Sequence, residues 1–294
     1  MNDEAITFKE PFRSRDQHHF LNFILAYKMF KLSQTRSLTM SAWFSICLLG
    51  MIFAPFLREP SKASPHSDLF CNEPNLGTYL VVSQGSKKNV PIGQLQLETW
   101  YVDGSLAGTR FSREGTKYSE TPYIGRWKKV GNCGINISRA DGGMDSNVIL
   151  KSNGDPHFGI IGTPGVVASE RWFPQSNTSC TKETIDGEVL SLQEGHQFKD
   201  GRWQSNRVIQ REQWSGWKMS GVAMSSYSGK FEIAAYQGNF LQVNNCIGKI
   251  QQQDIYGVTY DYIAILRSDG KGYAYLQTQG NALTVAVLDQ INSQ

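Results

Sequence analysis

Histidine, cysteine and excess charge of either sign are all scarce in this sequence, and each scarcity removes a class of function. Only five of the 294 residues are histidine, and His18 and His19 fall within the first 28. His66, His157 and His196 remain, and no set of His, Cys or carboxylate partners that would converge on a metal is evident around them. No Gly-x-Ser-x-Gly turn offers a serine nucleophile to a base. The Gly-rich run Gly159-Ile160-Ile161-Gly162-Thr163-Pro164-Gly165 has no helix pattern after it, which disfavours a phosphate cradle. Neither a cofactor nor a metal is expected, and no catalytic residue is assigned.

Charge excludes another partner. The net charge is +3, but the first 63 residues carry eight Lys/Arg against five Asp/Glu, which leaves 21 of each beyond them. A chain that is formally neutral after residue 63 has no broad basic surface for a phosphate backbone, so nucleic acid is not an expected partner. Runs long enough to span a bilayer are missing too. The longest apolar stretch, Ala42–Leu57, has sixteen residues where a spanning helix needs about 20.

That stretch has a different use. Lys28, Lys31 and Arg36 precede it and Ser61-Lys62-Ala63 follow it, the order of basic start, apolar core and small residues that marks a secretory signal. Cleavage is expected after Ala63. The alternative is an uncleaved anchor helix, with residues 42–57 as the one point of membrane contact. Met29 would open a signal of ordinary form, so residues 1–28 are read as an over-extended start or a cytoplasmic tail. Cys47 lies inside the signal and lacks the flanking pattern of a lipid-attachment cysteine. The expected location is periplasmic or extracellular, or membrane-anchored if the signal stays.

The rest of the chain says the same thing twice. Gly125-Arg126-Trp127-Lys128-Lys129-Val130-Gly131-Asn132-Cys133 returns as Gly238-Asn239-Phe240-Leu241-Gln242-Val243-Asn244-Asn245-Cys246. Ile149-Leu150-Lys151-Ser152-Asn153-Gly154 returns as Ile265-Leu266-Arg267-Ser268-Asp269-Gly270, and Cys71 with Gly77 returns as Cys180 with Gly187. Landmarks in one order at near-constant offset indicate a duplicated module, expected at 68–174 and 180–290. Four cysteines outside the signal allow three pairings. Duplication favours Cys71 with Cys133 and Cys180 with Cys246, each closing its own module and each worth about 4 kcal/mol in a loop-entropy estimate.

Within the modules the period is two. Gln94-Leu95-Gln96-Leu97-Glu98-Thr99-Trp100 alternates polar and apolar residues and runs into Asp103-Gly104, the signature of a hairpin. Asn153-Gly154 and Asp269-Gly270 repeat the logic, and Ser228-Gly229 does so more weakly. Val189–Phe198 reads as a helical turn or a strand. Polar Pro174–Thr181 is expected to join the modules and Pro60–Ser67 to precede them. The fold expected is all-β: two tandem homologous antiparallel β-barrel modules behind an N-terminal signal or anchor helix.

The opening run Phe70-Cys71-Asn72-Glu73-Pro74-Asn75-Leu76-Gly77-Thr78-Tyr79, with Tyr101-Val102-Asp103-Gly104 and the strand into Cys133, resembles small secreted bacterial β-proteins of uncharacterised function. Gly77-Thr78-Tyr79 is also similar to the Gly-x-Trp or Gly-x-Tyr of lipocalin-like (calycin) barrels, a pattern lost at Gly187-Glu188-Val189. The first resemblance implies no catalytic residues, and the second implies an apolar ligand.

Few residues stand out as a site. Trp203, Trp214 and Trp217 lack counterparts in the first module and lie among Arg202, Arg207, Arg211 and Lys218, so they are candidates to line a pocket or a contact patch; the plainer reading is barrel packing. His157 is a second candidate, or simply a polar hairpin residue. Trp127 and Phe240 are expected in the core. The function expected is non-catalytic binding of an apolar or amphipathic small molecule in a barrel. The alternatives are an isomerase- or cyclase-type barrel enzyme, which needs Glu98, Glu170 or His157 pointing inward, and a structural envelope interaction protein. Glu170 with Asp186 is a carboxylate pair with nothing in the sequence to bring it together.

Overall fold

In the computed structural model the described residues are 70–140, 142–176, 180–227 and 230–291. The proposed signal, the segment at 1–28, His66, the 60–67 linker and the Ser228-Gly229 turn lie outside them. Among the described residues sixteen strands form two closed antiparallel meanders. The first barrel contains β1 (Gly77–Lys87), β2 (Val90–Trp100), β3 (Ser105–Glu114), β4 (Lys117–Val130), β5 (Gly134–Arg139), β6 (Ser146–Leu150), β7 (Pro156–Ile161) and β8 (Val166–Gln175). The second contains β9 (Gly187–Lys199), β10 (Arg202–Ser215), β11 (Lys218–Tyr227), β12 (Lys230–Asn244), β13 (Ile247–Asp254), β14 (Thr259–Leu266), β15 (Gly272–Gln277) and β16 (Ala282–Ile291). β1 closes on β8 and β9 on β16, so neither sheet keeps a free edge. Val189–Phe198, ambiguous in sequence, is strand throughout, and Pro174 and Gln175 end β8 rather than opening a linker.

The turns follow from their residues. Gly104, Gly154 and Gly270 take φ of 77°, 91° and 68°, where a side chain would be strained. Gly154 is also too close to its neighbours for any Cβ: one would fall 2.2 Å from the Glu73 carbonyl oxygen. There the N-terminal segment lies across the β6–β7 hairpin, with Asn72 N–H donating to Ser152 O and Asn75 N–H to Gly154 O, both at 3.0 Å. The disulfides pair as the duplication indicates, Cys71 with Cys133 and Cys180 with Cys246. Each ties the segment ahead of the barrel's first strand to the turn after its fourth.

Burial along the strands explains a contrast in the sequence. β5, β6 and β13 alternate buried and exposed residues, as one-sided strands should. β15 is buried at every position, and β1, β2, β14 and β16 nearly so in their middles. These strands face a second apolar wall. Leu80, Val82, Leu95 and Phe111 from outside the first barrel pack on Ile263, Ile265, Leu276, Leu283 and Val285 from outside the second. Gly93 makes the close approach feasible, since a Cβ there would sit 2.2 Å from Val285 Cγ2. Arg113 crosses the interface fully buried, its Nη1 donating to the carbonyls of Gln277 and Gln279 at 3.1 Å and of Ala282 at 2.7 Å, and its Nη2 to Gly280 O.

Candidate functional site

Three inward tryptophans organise the barrel interiors. On a strand, residues i and i+2 share a face, so an indole N–H can reach a carboxylate two residues before it. Trp100 Nε1 donates to Glu98 at 2.7 Å, Trp172 Nε1 to Glu170 at 3.2 Å and Trp214 Nε1 to Glu212 at 2.9 Å. All three carboxylates are buried.

In the first barrel the carboxylates share a cation. Arg139 Nε donates to Glu98 Oε2 at 2.7 Å, and its Nη1 reaches Glu170 Oε1 at 3.4 Å, Ser146 Oγ at 2.6 Å and Met144 O at 2.7 Å. Tyr123 Oη adds a 2.7 Å bond to Glu98. Burial opposes the guanidinium charge, but Glu98 and Glu170 more than offset it and hold the Arg139 pKa above its ordinary value. Burial pushes Glu170 up, with Arg139 countering and Glu98 reinforcing the rise. Gly159 leaves the room, as a Cβ there would lie 2.9 Å from Glu170 Oε2. The layer is covered at both ends. Tyr79, Trp100 and Trp172 pack edge-on or tilted on one side, and Ile92, Met144, Ile161 and Val166 cluster on the other.

The second barrel keeps the carboxylate and omits the cation. Glu212 accepts from Gln210 Nε2 at 2.5 Å, Tyr236 Oη at 3.1 Å, Gln252 Nε2 at 3.4 Å and the Tyr273 hydroxyl. Burial raises its pKa against the opposing pull of those donors. Tyr275 Oη, bonded to Gln193 and Gln210, occupies the middle of this interior. At the level of the carboxylates hydrogen-bonded side chains thus cross both interiors, and Glu98 and Glu170 point inward into that network.

Open volume lies outside, between the barrels. A cleft of about 310 Å³ is walled by Val82, Gly85 and Arg171 of the first barrel and by Leu192, His196 and Val287 of the second. A second volume of about 530 Å³ shares Arg171, Leu192 and Val287 and extends along Leu190, Ile209 and Ile291. Register places Leu192 opposite Ile209 on the second barrel's side, and Phe158 opposite Arg171 on the first. Leu192 is 77% exposed, and Ile209, Ile291, Phe158, Ile160 and Val167 are exposed as well. The half-buried His196 has its pKa lowered by burial, which Glu194 counters and Arg207 reinforces.

Comparison with known proteins adds little to this geometry. No protein family and no curated protein matches the chain. Among solved structures, a protein of unknown function from the DUF3598 family of Nostoc punctiforme shares 8% identity over 74% of this chain and 96% of its own, with a TM-score of 0.25. A Nitrosomonas europaea protein described as a "putative AttH" shares 10% over 79% and 98%, with a TM-score of 0.26. Likenesses at that level carry no functional argument. The resemblances seen in sequence thus reach the all-β barrel and stop there.

The residues singled out in sequence do not gather at one site. Trp203 and Trp214 stand near opposite ends of β10. Trp203 packs beside Phe198 at the inter-barrel core, whereas Trp214 is buried over Glu212 and Trp217 rests on Phe240. The structure thus separates Trp203, in the inter-barrel cluster, from Trp214 and Trp217, in the second barrel's core. His157 faces Phe158 at the lip of the first barrel, not its interior, with its pKa lowered by burial and then by Lys151 and Arg171. Glu170 meets Glu98 through Arg139, while Asp186 is exposed and accepts from Gly216 N at 2.6 Å. Trp127 stacks on Trp100 and Phe240 sits in the core, as expected. The signal that was missed is Glu-x-Trp, present at 98–100, 170–172 and 212–214, twice preceded by Gln at 96 and 210.

Proposed function

We propose that this is an exported, non-catalytic binding protein whose ligand lies in the cleft between the barrels. The observation that carries the reading is the cleft itself. Its volume is in the range of small-molecule sites, and Leu192 and Ile209 offer it exposed apolar surface. The hydrogen-bonded side chains that cross both interiors favour a ligand outside the barrels over one within them. Export is supported by the two disulfides, which form and persist in oxidising compartments.

An uncharged apolar fluorophore tests the site. Saturable enhancement with the full chain, abolished by Leu192→Asp, is the expected result. Enhancement that survives Leu192→Asp unchanged would place binding elsewhere and defeat the cleft reading. Native mass spectrometry of protein recovered from its host tests export. A mass for residues 64–294, less the four hydrogens of two disulfides, is expected; an intact N-terminus would instead assign the anchored form.

A further inference from the structure

We infer that the cleft takes a single-chain amphiphile with an anionic head, a fatty-acid-type carboxylate, whose head pairs with Arg171 and whose tail lies along Leu192 and Ile209. The inference rests on the cleft reading and adds the chemistry of the ligand. Arg171 is exposed on β8 and lines both parts of the cleft. Among the described residues it has no ion-pair partner; its guanidinium lies over the Phe173 ring at 5.1 Å. The carboxylates of the cleft are engaged elsewhere. Glu194 pairs with Arg207 at 2.8 Å and Asp289 with Arg267 at 2.7 Å. Glu188, one strand position further, pairs with Arg211. The local acids are thus balanced, and Arg171 remains as a positive fork with donors to spare, the geometry that binds a carboxylate in two parallel hydrogen bonds.

The apolar part of the site matches a tail better than a compact ligand. Leu190 and Leu192 follow each other on the outer face of β9, with Ile209 opposite Leu192 and Asp289 opposite Leu190. The row runs from Arg171 past Val287 and Leu192 to Leu190, Ile209 and Ile291, and the charges set along it, Asp289 and Arg211, are held in ion pairs with Arg267 and Glu188. An uncharged ligand would leave Arg171 unanswered, and a cationic one would face it.

Calorimetric titration of the full chain with dodecanoate, dodecanol and dodecyltrimethylammonium, all as monomers, tests this. Dodecanoate is expected to bind about 10-fold or more tightly than dodecanol, with the cation weakest. Arg171→Gln is expected to erase the preference for dodecanoate over dodecanol, with Arg171→Lys restoring part of it. Equal binding of dodecanoate and dodecanol, or a preference that survives Arg171→Gln, would overturn the anionic head while leaving the cleft standing. Dodecanoate binding that is insensitive to Leu192→Asp would overturn both. Sedimentation with phosphatidylglycerol vesicles without binding of monomeric dodecanoate would assign a membrane surface instead and defeat the inference.

Discussion

At the level of Glu98 the first barrel brings in Arg139 and Glu170; at the level of Glu212 the second brings in Gln252 and Ala286. The ladders make these positions equivalent. Arg139 pairs with Gly125 and Gln252 with Gly238, while Glu170 pairs with Gly159 and Ala286 with Tyr275. Tyr123 and Tyr236 each reach their glutamate across a facing glycine, Gly108 or Gly221, whose missing Cβ makes room for the ring. Around that shared frame, one barrel neutralises a buried carboxylate with an ion triad and the other solvates it with amides and phenols. The volume of the Glu170 carboxylate and the Arg139 fork is filled by the rings of Tyr275 and Tyr262, packed 4.5 Å apart. Losing the cation alone would leave two buried carboxylates uncompensated, whereas losing Glu170 alone would leave Arg139 paired with Glu98.

Breaking the triad tests that comparison most severely. Arg139→Gln alone leaves two buried carboxylates facing each other and is expected to cost about 3–5 kcal/mol in denaturant unfolding. Arg139→Gln with Glu170→Ala, which copies the second barrel, is expected to cost less than the single change. A double variant as unstable as the sum of its parts would mean that the two residues do not act as a unit.

Cutting the connection between barrels comes next. Arg113→Met orphans buried carbonyls of the β15–β16 turn and is expected to cost about 2–3 kcal/mol, and to split one calorimetric transition into two. A single transition at reduced temperature would show that the apolar wall alone couples them. Gly93→Ala drives a methyl into Val285 and is expected to cost about 1–3 kcal/mol, with both barrels losing stability in equal measure.

The smallest effect is on pH dependence. Glu212 has a folded pKa above its ordinary 4.5, so between the two values the folded state holds the extra proton. Stability is therefore greatest below the unfolded pKa and falls as pH rises through the folded one. Glu170 acts in the same direction. Urea midpoints are expected to be higher at pH 5 than at pH 8, and Glu212→Gln to narrow the gap. A gap left unchanged by Glu212→Gln would move its source to the first barrel.

Much of this architecture is legible in the sequence for identifiable reasons. The strands announce themselves by alternation, the turns by Asp-Gly and Asn-Gly, and the disulfide pairing by duplication. Glu98 reads as one polar member of an alternating run, and nothing local says that it faces Arg139, 41 residues on. That contact is made by barrel closure and register. The inter-barrel wall is hidden in a similar way. Tyr262–Leu266 and Gly272–Leu276 lose their alternation because both faces are covered, and a short continuous apolar run does not say by what. The tryptophans mislead because proximity in sequence along β10 separates residues by strand length and face.

The inter-barrel wall also has a consequence in time. It joins β1–β3 to β14–β16, the first strands made to the last, and Arg113 meets Gly280 across 167 residues. The first barrel can close its own sheet as soon as β8 emerges, yet Leu80, Leu95 and Phe111 stay bare until β14–β16 arrive. For that interval the nascent protein presents a hydrophobic flank, the kind of surface on which chains aggregate. A chain stopped before Thr259 would keep that flank for good, so the last three strands serve the first barrel as a late-arriving lid on its outer wall.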